Sequence, residues 1–316
     1  IDIVFKRRQI IIILVLTLVS MKIQAQYDVS FSHYFNLEPS FNSAAVGKES
    51  KINVALDYAM DLAGFEHNPQ TMYAAADMPL YFLKTYHGVG LQFMNDKLGL
   101  FSHQRLMLQY ALKFKLFKGT LSAGVTAGLL SETFDGTKAD LEDSNDPAFA
   151  SSKLEGNSLD LGVGLYYTHR NWYVGLSAQH LNSPCVSLGE RNELQVDPTF
   201  YLTGGYNIKL RNPFLTIKPS LLVRTDGVGY RADVTGRLIY TNENKMMYGG
   251  VSYSPTNSVT VLIGGNFHGI MLGYSYEIYT SAINPGNGSH EIFLGYQVDI
   301  NLTKKGKNRH QSVRIL

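Results

Sequence analysis

The chain of 316 residues sets 28 Lys and Arg against 26 Asp and Glu, a formal charge of +2, so it has no basic bias toward nucleic acid. Only 17% of residues are charged, mean hydropathy is near zero, and no apolar run reaches the ~20 residues of a membrane helix, which excludes an all-helical membrane protein. The lone cysteine, Cys185, excludes an internal disulfide framework.

The N-terminus has the pattern of an export signal. Lys6-Arg7-Arg8 is basic, residues 10–19 are apolar, and Ile23-Gln24-Ala25 predicts cleavage before Gln26. No lipidation cysteine follows, so a lipoprotein is not expected. Residues 26–50 are rich in aromatics, Asn and Ser without a long period-2 run, and are expected to lie in the periplasm or to plug a barrel.

From residue 51 onward the chain alternates. Side chains of a strand point to opposite faces in turn. Leu106, Leu108, Tyr110, Leu112 and Phe114 oppose Arg105, Met107, Gln109, Ala111 and Lys113. Leu121, Ala123, Val125, Ala127 and Leu129 oppose Ser122, Gly124, Thr126 and Gly128. Leu159, Leu161, Val163 and Leu165 oppose Ser158, Asp160, Gly162 and Gly164, and after a short break Trp172, Val174 and Leu176 oppose Tyr173, Gly175 and Ser177. Strands are expected at 51–58, 71–79, 85–94, 105–116, 121–129, 158–168, 172–179, 199–209, 214–225, 229–240, 245–254, 257–267, 269–278 and 289–302. A soluble sandwich could build one such hairpin. Repetition of the pattern nearly to the C-terminus, behind an export signal, predicts an all-β transmembrane outer-membrane antiparallel barrel of about 14 strands spanning 51–302.

Loop lengths agree. The long connections, 59–70, 134–155, 182–197 and 279–288, all follow odd-numbered strands, whereas 118–119, 170–171, 211–212 and 242–244 follow even-numbered ones. Outer-membrane barrels have long loops on the extracellular rim and short turns on the periplasmic rim. Arg105, Lys113, Asp160, Lys218, Arg224, Arg231, Asp233, Arg237, Glu277, Glu291 and Asp299 fall on the polar face. Such mixed charge predicts a lumen of ion pairs rather than a pore of one sign.

Active-site patterns such as GxSxG, HExxH, P-loops and paired-cysteine zinc motifs are missing, so no enzyme, cofactor or metal is expected. Gly88-Val89-Gly90 and Gly162-Val163-Gly164 sit within strands and predict crowded barrel interior rather than nucleotide loops. The acidic run 140–146 lacks EF-hand spacing and is expected to be a solvated loop. Beyond the last strand, residues 303–316 form a basic tail holding Lys304, Lys305, Lys307 and Arg309.

Several motifs carry a family resemblance. The opening QYDVSFSHYFNLEPSFNSAAVG, Asp77-Met78-Pro79, Lys218-Pro219-Ser220, the run 272–277 and the final-strand entry Gly288-Ser289-His290-Glu291-Ile292 occur in order along the mature chain. Together the sequence resembles the PorP/SprF family of outer-membrane components of the type IX secretion system of Bacteroidota. The opening departs from the family's commoner Asn-Pro and Pro-Ala steps at Leu37 and Ala44. The resemblance implies an integral outer-membrane protein that assists export or surface attachment of secreted proteins such as adhesins, in some relatives in gliding motility. The implied partners are an exported surface protein or its C-terminal domain, periplasmic secretion components and outer-membrane lipid. Tyr27, Phe31, Tyr34, Phe35 and the basic tail residues are the candidate partner contacts, and Gly288 to Glu291 the family motif. A passive channel or porin is the alternative.

Overall fold

The computed structural model describes residues 28–138, 153–189, 192–243, 245–255, 257–281 and 287–300. Among these no helix is long and apolar enough to cross a membrane. Seventeen strands are present: β1 (Lys51–Met60), β2 (Gln70–Phe82), β3 (Thr85–Leu98), β4 (Phe101–Leu116), β5 (Gly119–Asp135), β6 (Lys153–Thr168), β7 (Trp172–Gln179), β8 (Cys185–Leu188), β9 (Asn192–Gln195), β10 (Thr199–Tyr206), β11 (Ile208–Lys209), β12 (Leu215–Thr225), β13 (Tyr230–Asn242), β14 (Lys245–Ser254), β15 (Ser258–Phe267), β16 (Ile270–Tyr279) and β17 (Ser289–Asp299). Each barrel strand pairs antiparallel with its sequence neighbours, and β1 pairs with β17 from Lys51↔Asp299 to Met60↔His290. That seam closes a barrel of 14 strands, with β10 and β11 together serving as one. Closure leaves no unpaired edge, a requirement in lipid.

The alternation sets the two faces. Leu108 is 67% exposed and its neighbour Met107 fully buried; Leu159, Leu161, Val163 and Leu165 face outward while Asp160 and Tyr166 are buried inside. Exposed Phe82, Phe117, Trp172, Tyr206, Phe214 and Tyr240 crowd the short-turn rim, as in the aromatic girdle that sits at a bilayer interface.

Several boundaries differ from expectation. β4, β5 and β6 run for 16, 17 and 16 residues, more than the ~9–11 that cross a bilayer, and so project beyond it at the long-loop rim. On this projection sits a hairpin, β8–β9, inside the stretch read as an irregular break. Val186, Leu188 and Val196 bury themselves there against Leu130. Four-residue strands among Pro, Gly and Asn give too short a period to be read from sequence. Asp299, expected in the lumen, ends β17 at the rim with its side chain 90% exposed.

Candidate functional site: a plugged lumen and its open vestibule

Residues 28–50 lie inside the barrel. They form no strand, because their apolar residues lack period 2; instead two 3-10 turns, Glu38–Ser40 and Ser43–Ala45, fold them compactly. Asn42 caps the second turn by accepting from the Ala44 N–H at 2.9 Å, and its own amide donates to the Leu165 carbonyl at 3.1 Å. The wall is cut to fit this turn. A Cβ on Gly124 would lie 2.7 Å from Ala44 Cα, and one on Gly88 would lie 2.7 Å from the Val46 carbonyl carbon. The small-residue face read as crowded interior is crowded by this plug.

The buried core is the plug packed on the wall. Tyr34, Phe35 and Phe41 meet Tyr201, Leu222, Ile239, Tyr248 and Leu262, while Phe31 and Leu37 meet Tyr73, Met94 and Phe293. Polar anchors accompany them. Tyr34 bonds the Ser220 and Thr235 hydroxyls at 2.8 and 3.1 Å. Gln109, Ser177 and Gln179 donate to the carbonyls of Pro39, Phe41 and Ser40. Gly47 N–H donates to Asp77 at 2.7 Å, and Lys113 donates to the Gly47 carbonyl.

At the N-terminal end of the plug, Asp28 is sunk in donors. Arg105 reaches it at 3.2 Å, His180 at 3.1 Å and the Tyr201 hydroxyl at 2.6 Å, while Arg224 donates to the backbone carbonyls of Asp28 and Val29 at 2.7 and 2.8 Å. Burial pushes the Asp28 carboxyl up, but His180, Arg105 and Tyr201 outweigh it and hold it far below the usual carboxylate range. His180 lies 3.1 Å from Asp28 on one ring nitrogen and 3.1 Å from Asp160 on the other. Burial lowers its pKa, yet the two carboxylates raise it above the ordinary histidine value. Only the doubly protonated ring carries a proton toward both.

Five residues on, the plug meets the closing seam. Glu291, from the Gly288-Ser289-His290-Glu291 motif, accepts from the Ser32 N–H at 2.6 Å, the His33 N–H at 2.9 Å and His33 Nδ1 at 2.7 Å. Gly288 has φ +60°, and Ser289 receives the Leu62 N–H and contacts Tyr279. His290 lies beside Tyr274 on the other face. The motif is therefore a turn, a loop tie and a plug latch in sequence.

Below the plug, at the short-turn end, a vestibule of about 450 Å³ remains, lined by Glu38, Lys48, Tyr173, Lys218, Arg237 and Tyr296 among others. Lys48 pairs with Glu38, which also accepts from Tyr166 at 2.8 Å. Burial disfavours the Lys48 ammonium, but Glu38 more than offsets this and raises its pKa. Arg237 stacks 3.3 Å over the Phe35 ring, and its Nε is buried without a partner. Lys218 makes no salt bridge among the described residues.

The candidate contact residues fall in different places. Phe31, Tyr34 and Phe35 are buried in the plug core, so no partner reaches them while the plug is seated. Their aromatic, irregular context looks alike whether they face a partner or a lumen wall. Tyr27, the export signal, the acidic run 140–146 and the basic tail lie outside the described residues. Sequence reasoning placed Arg105, Asp160 and Arg224 in the lumen but missed Asp28, which Arg105 and Arg224 hold, and gave no role to His180, which joins Asp28 to Asp160; a single charged residue near a mature N-terminus carries no pattern.

Residues 23–296 match the family model described as "Type IX secretion system membrane protein PorP/SprF". Among solved structures, a Pseudomonas aeruginosa FadL homologue aligns with a TM-score of 0.50 at 11% identity, covering 82% of this chain and 93% of its own. The Pseudomonas putida toluene transporter TodX aligns with a TM-score of 0.49 at 10% identity, covering 86% of this chain and 95% of its own. At such identity the likeness is one of fold: an outer-membrane barrel. No curated protein matches the chain.

Proposed function

Because the chain belongs to the PorP/SprF family of type IX secretion system membrane proteins, we propose that it is a plugged, non-conducting outer-membrane barrel that assists export or surface attachment of a secreted protein by binding a partner at its short-turn rim. One observation carries this reading: residues 28–47 fill the lumen through buried ion pairs and aromatic packing, and an open vestibule remains at the short-turn end. Loop asymmetry puts that end in the periplasm. Lys218 and Arg237 there suit an acidic or carboxylate-bearing segment of a secretion component or cargo, and the aromatics around them offer apolar contact. β17 ends at Asp299 on the same rim, where Tyr296 and Gln297 line the vestibule. The role is recognition, and no catalytic step is assigned.

The test is planar-bilayer conductance of the purified full chain, with affinity purification from mild-detergent outer membranes. Silent wild-type protein, conduction after deletion of residues 28–47, and co-purification of a secretion component that Lys218→Glu with Arg237→Glu abolishes are the expected results. Steady solute conductance by wild-type protein would establish a passive porin instead.

A further inference from the structure

Where the plug meets the seam, the charges do not balance. His33 comes from the plug, Asp57 from β1 and Glu291 from β17, all buried. One ligand atom from each lies within 4.8 Å of the other two. Asp57 is only 5% exposed, and neither of its carboxylate oxygens has a hydrogen-bond partner. His33 Nε2 is likewise buried and unpartnered. Two carboxylates and one imidazole in an enclosed space, with no arginine or lysine paired to them among the described residues, lack a positive charge. Such groups are costly unless paired or coordinated to a metal.

We propose that His33, Asp57 and Glu291 form a site for one divalent transition-metal ion of the Zn²⁺ type. One nitrogen and two carboxylate donors suit such an ion, and the two carboxylates neutralise its charge. Ca²⁺ takes six to eight oxygens, which these residues do not supply. A cation among the three donors would take the place of the hydrogen bond between His33 Nδ1 and Glu291 Oε1, 2.7 Å apart, with the imidazole proton kept on the ring nitrogen that faces away from the ion. The backbone N–H groups of Ser32 and His33 fix Glu291 in orientation, and Phe293 stacks on the imidazole at 5.8 Å between centroids, holding its plane. Bodies that orient ligands in this way raise affinity. The bound ion would pin the plug to the first and last strands at once, across the seam that closes the barrel. No motif announces the site, because its donors stand at 33, 57 and 291.

The test uses the full folded chain in detergent, stripped with chelator and titrated with Zn²⁺ and with Co²⁺ in parallel. Wild-type protein should bind one ion per chain, and Co²⁺ should give visible d–d absorption of a protein-bound centre. Asp57→Asn and His33→Gln should each weaken binding about 100-fold or more. Both variants keep the volume of the side chain, and heat-modifiable gel mobility reports whether each has folded. Absence of stoichiometric Zn²⁺ in folded wild-type protein overturns the site and leaves a carboxyl pair sharing a proton. Binding undiminished in whichever variant folds overturns it too, as does displacement of Zn²⁺ by equimolar Ca²⁺.

Discussion

Two of the charged places where the plug touches its barrel are built oppositely. At Asp28 one carboxylate of the plug is met by Arg105, His180, Tyr201 and Arg224 from the wall. At His33 one imidazole of the plug is met by Asp57 and Glu291 from the wall. At the first place Asp160 supplies a second carboxylate for Arg105 and His180, and positive groups are in no short supply. The second has negative charge to spare. Buried ion pairs stabilise little in themselves, but removing one member is severe because the other is stranded. The contrast therefore teaches that the Asp28 latch holds the plug unaided, whereas the His33 latch is completed by something outside the chain.

The most direct way to break the comparison is Arg105→Ala. It leaves Asp28 and Asp160 without the guanidinium that joins them, with His180 as their shared cation, and removes the 2.5 Å bond to Gln179. A loss of about 3–5 kcal/mol is expected, read as protease cleavage of residues 28–50 and as conductance appearing in bilayers. If the plug stays protected, the Asp28 latch is not what retains it.

A steric challenge that leaves both latches untouched is Gly124→Val. Its side chain would meet backbone of the Ser43–Ala45 turn, which cannot swing aside. Overpacking of this kind costs about 1–3 kcal/mol, so the barrel should still show heat-modifiable mobility while the plug loosens. Unchanged protection of the plug would mean the turn can shift at no cost.

Asp57→Asn sharpens the difference in sign. In chelator-treated protein it replaces a buried carboxyl without hydrogen-bond partners by a neutral amide and should not lower stability; with Zn²⁺ present it should lower it. Thermal melts of both proteins with and without metal decide, and a variant less stable under chelator would show that Asp57 is already satisfied.

The pH response is smaller. Asp28, depressed in the folded state, contributes stability above its unfolded pKa of about 3.8 that is lost only as pH falls through its much lower folded value. His180, raised, contributes fully below its unfolded value of about 6.5, and that part is lost as pH rises through the folded value above it. Plug protection should thus be level from about pH 4 to 6.5 and decline on the alkaline side, with Arg105 still holding Asp28. His180→Gln should remove the decline; a slope that persists belongs to other groups.

The smallest effect on the fold is expected from truncation after Leu302. β17 already pairs with both β1 and β16 and ends at Asp299, ahead of the truncation point. Gel mobility should not change, while surface proteomics should show cargo lost if Lys304, Lys305, Lys307 and Arg309 dock a periplasmic partner. Normal export would place the partner surface in the vestibule alone.

Much of the barrel was legible because a membrane strand must repeat its lipid face every second residue, and because loop length follows rim. β7 and β14 have the bounds that alternation predicts, Trp172–Gln179 and Lys245–Ser254. The β8–β9 hairpin was not legible, since four residues cannot establish a period. What lies inside the lumen was harder still. Sequence by itself determined that Arg105, Asp160, Arg224 and Glu291 point away from lipid, because a charge on the lipid face is costly. Which partner each one meets was decided only by the tertiary structure. Closing the sheet brings β1 onto β17, and an aperiodic segment packs against their lumen side. Positions 33, 57 and 291 become neighbours through that closure, which no local pattern of residues encodes.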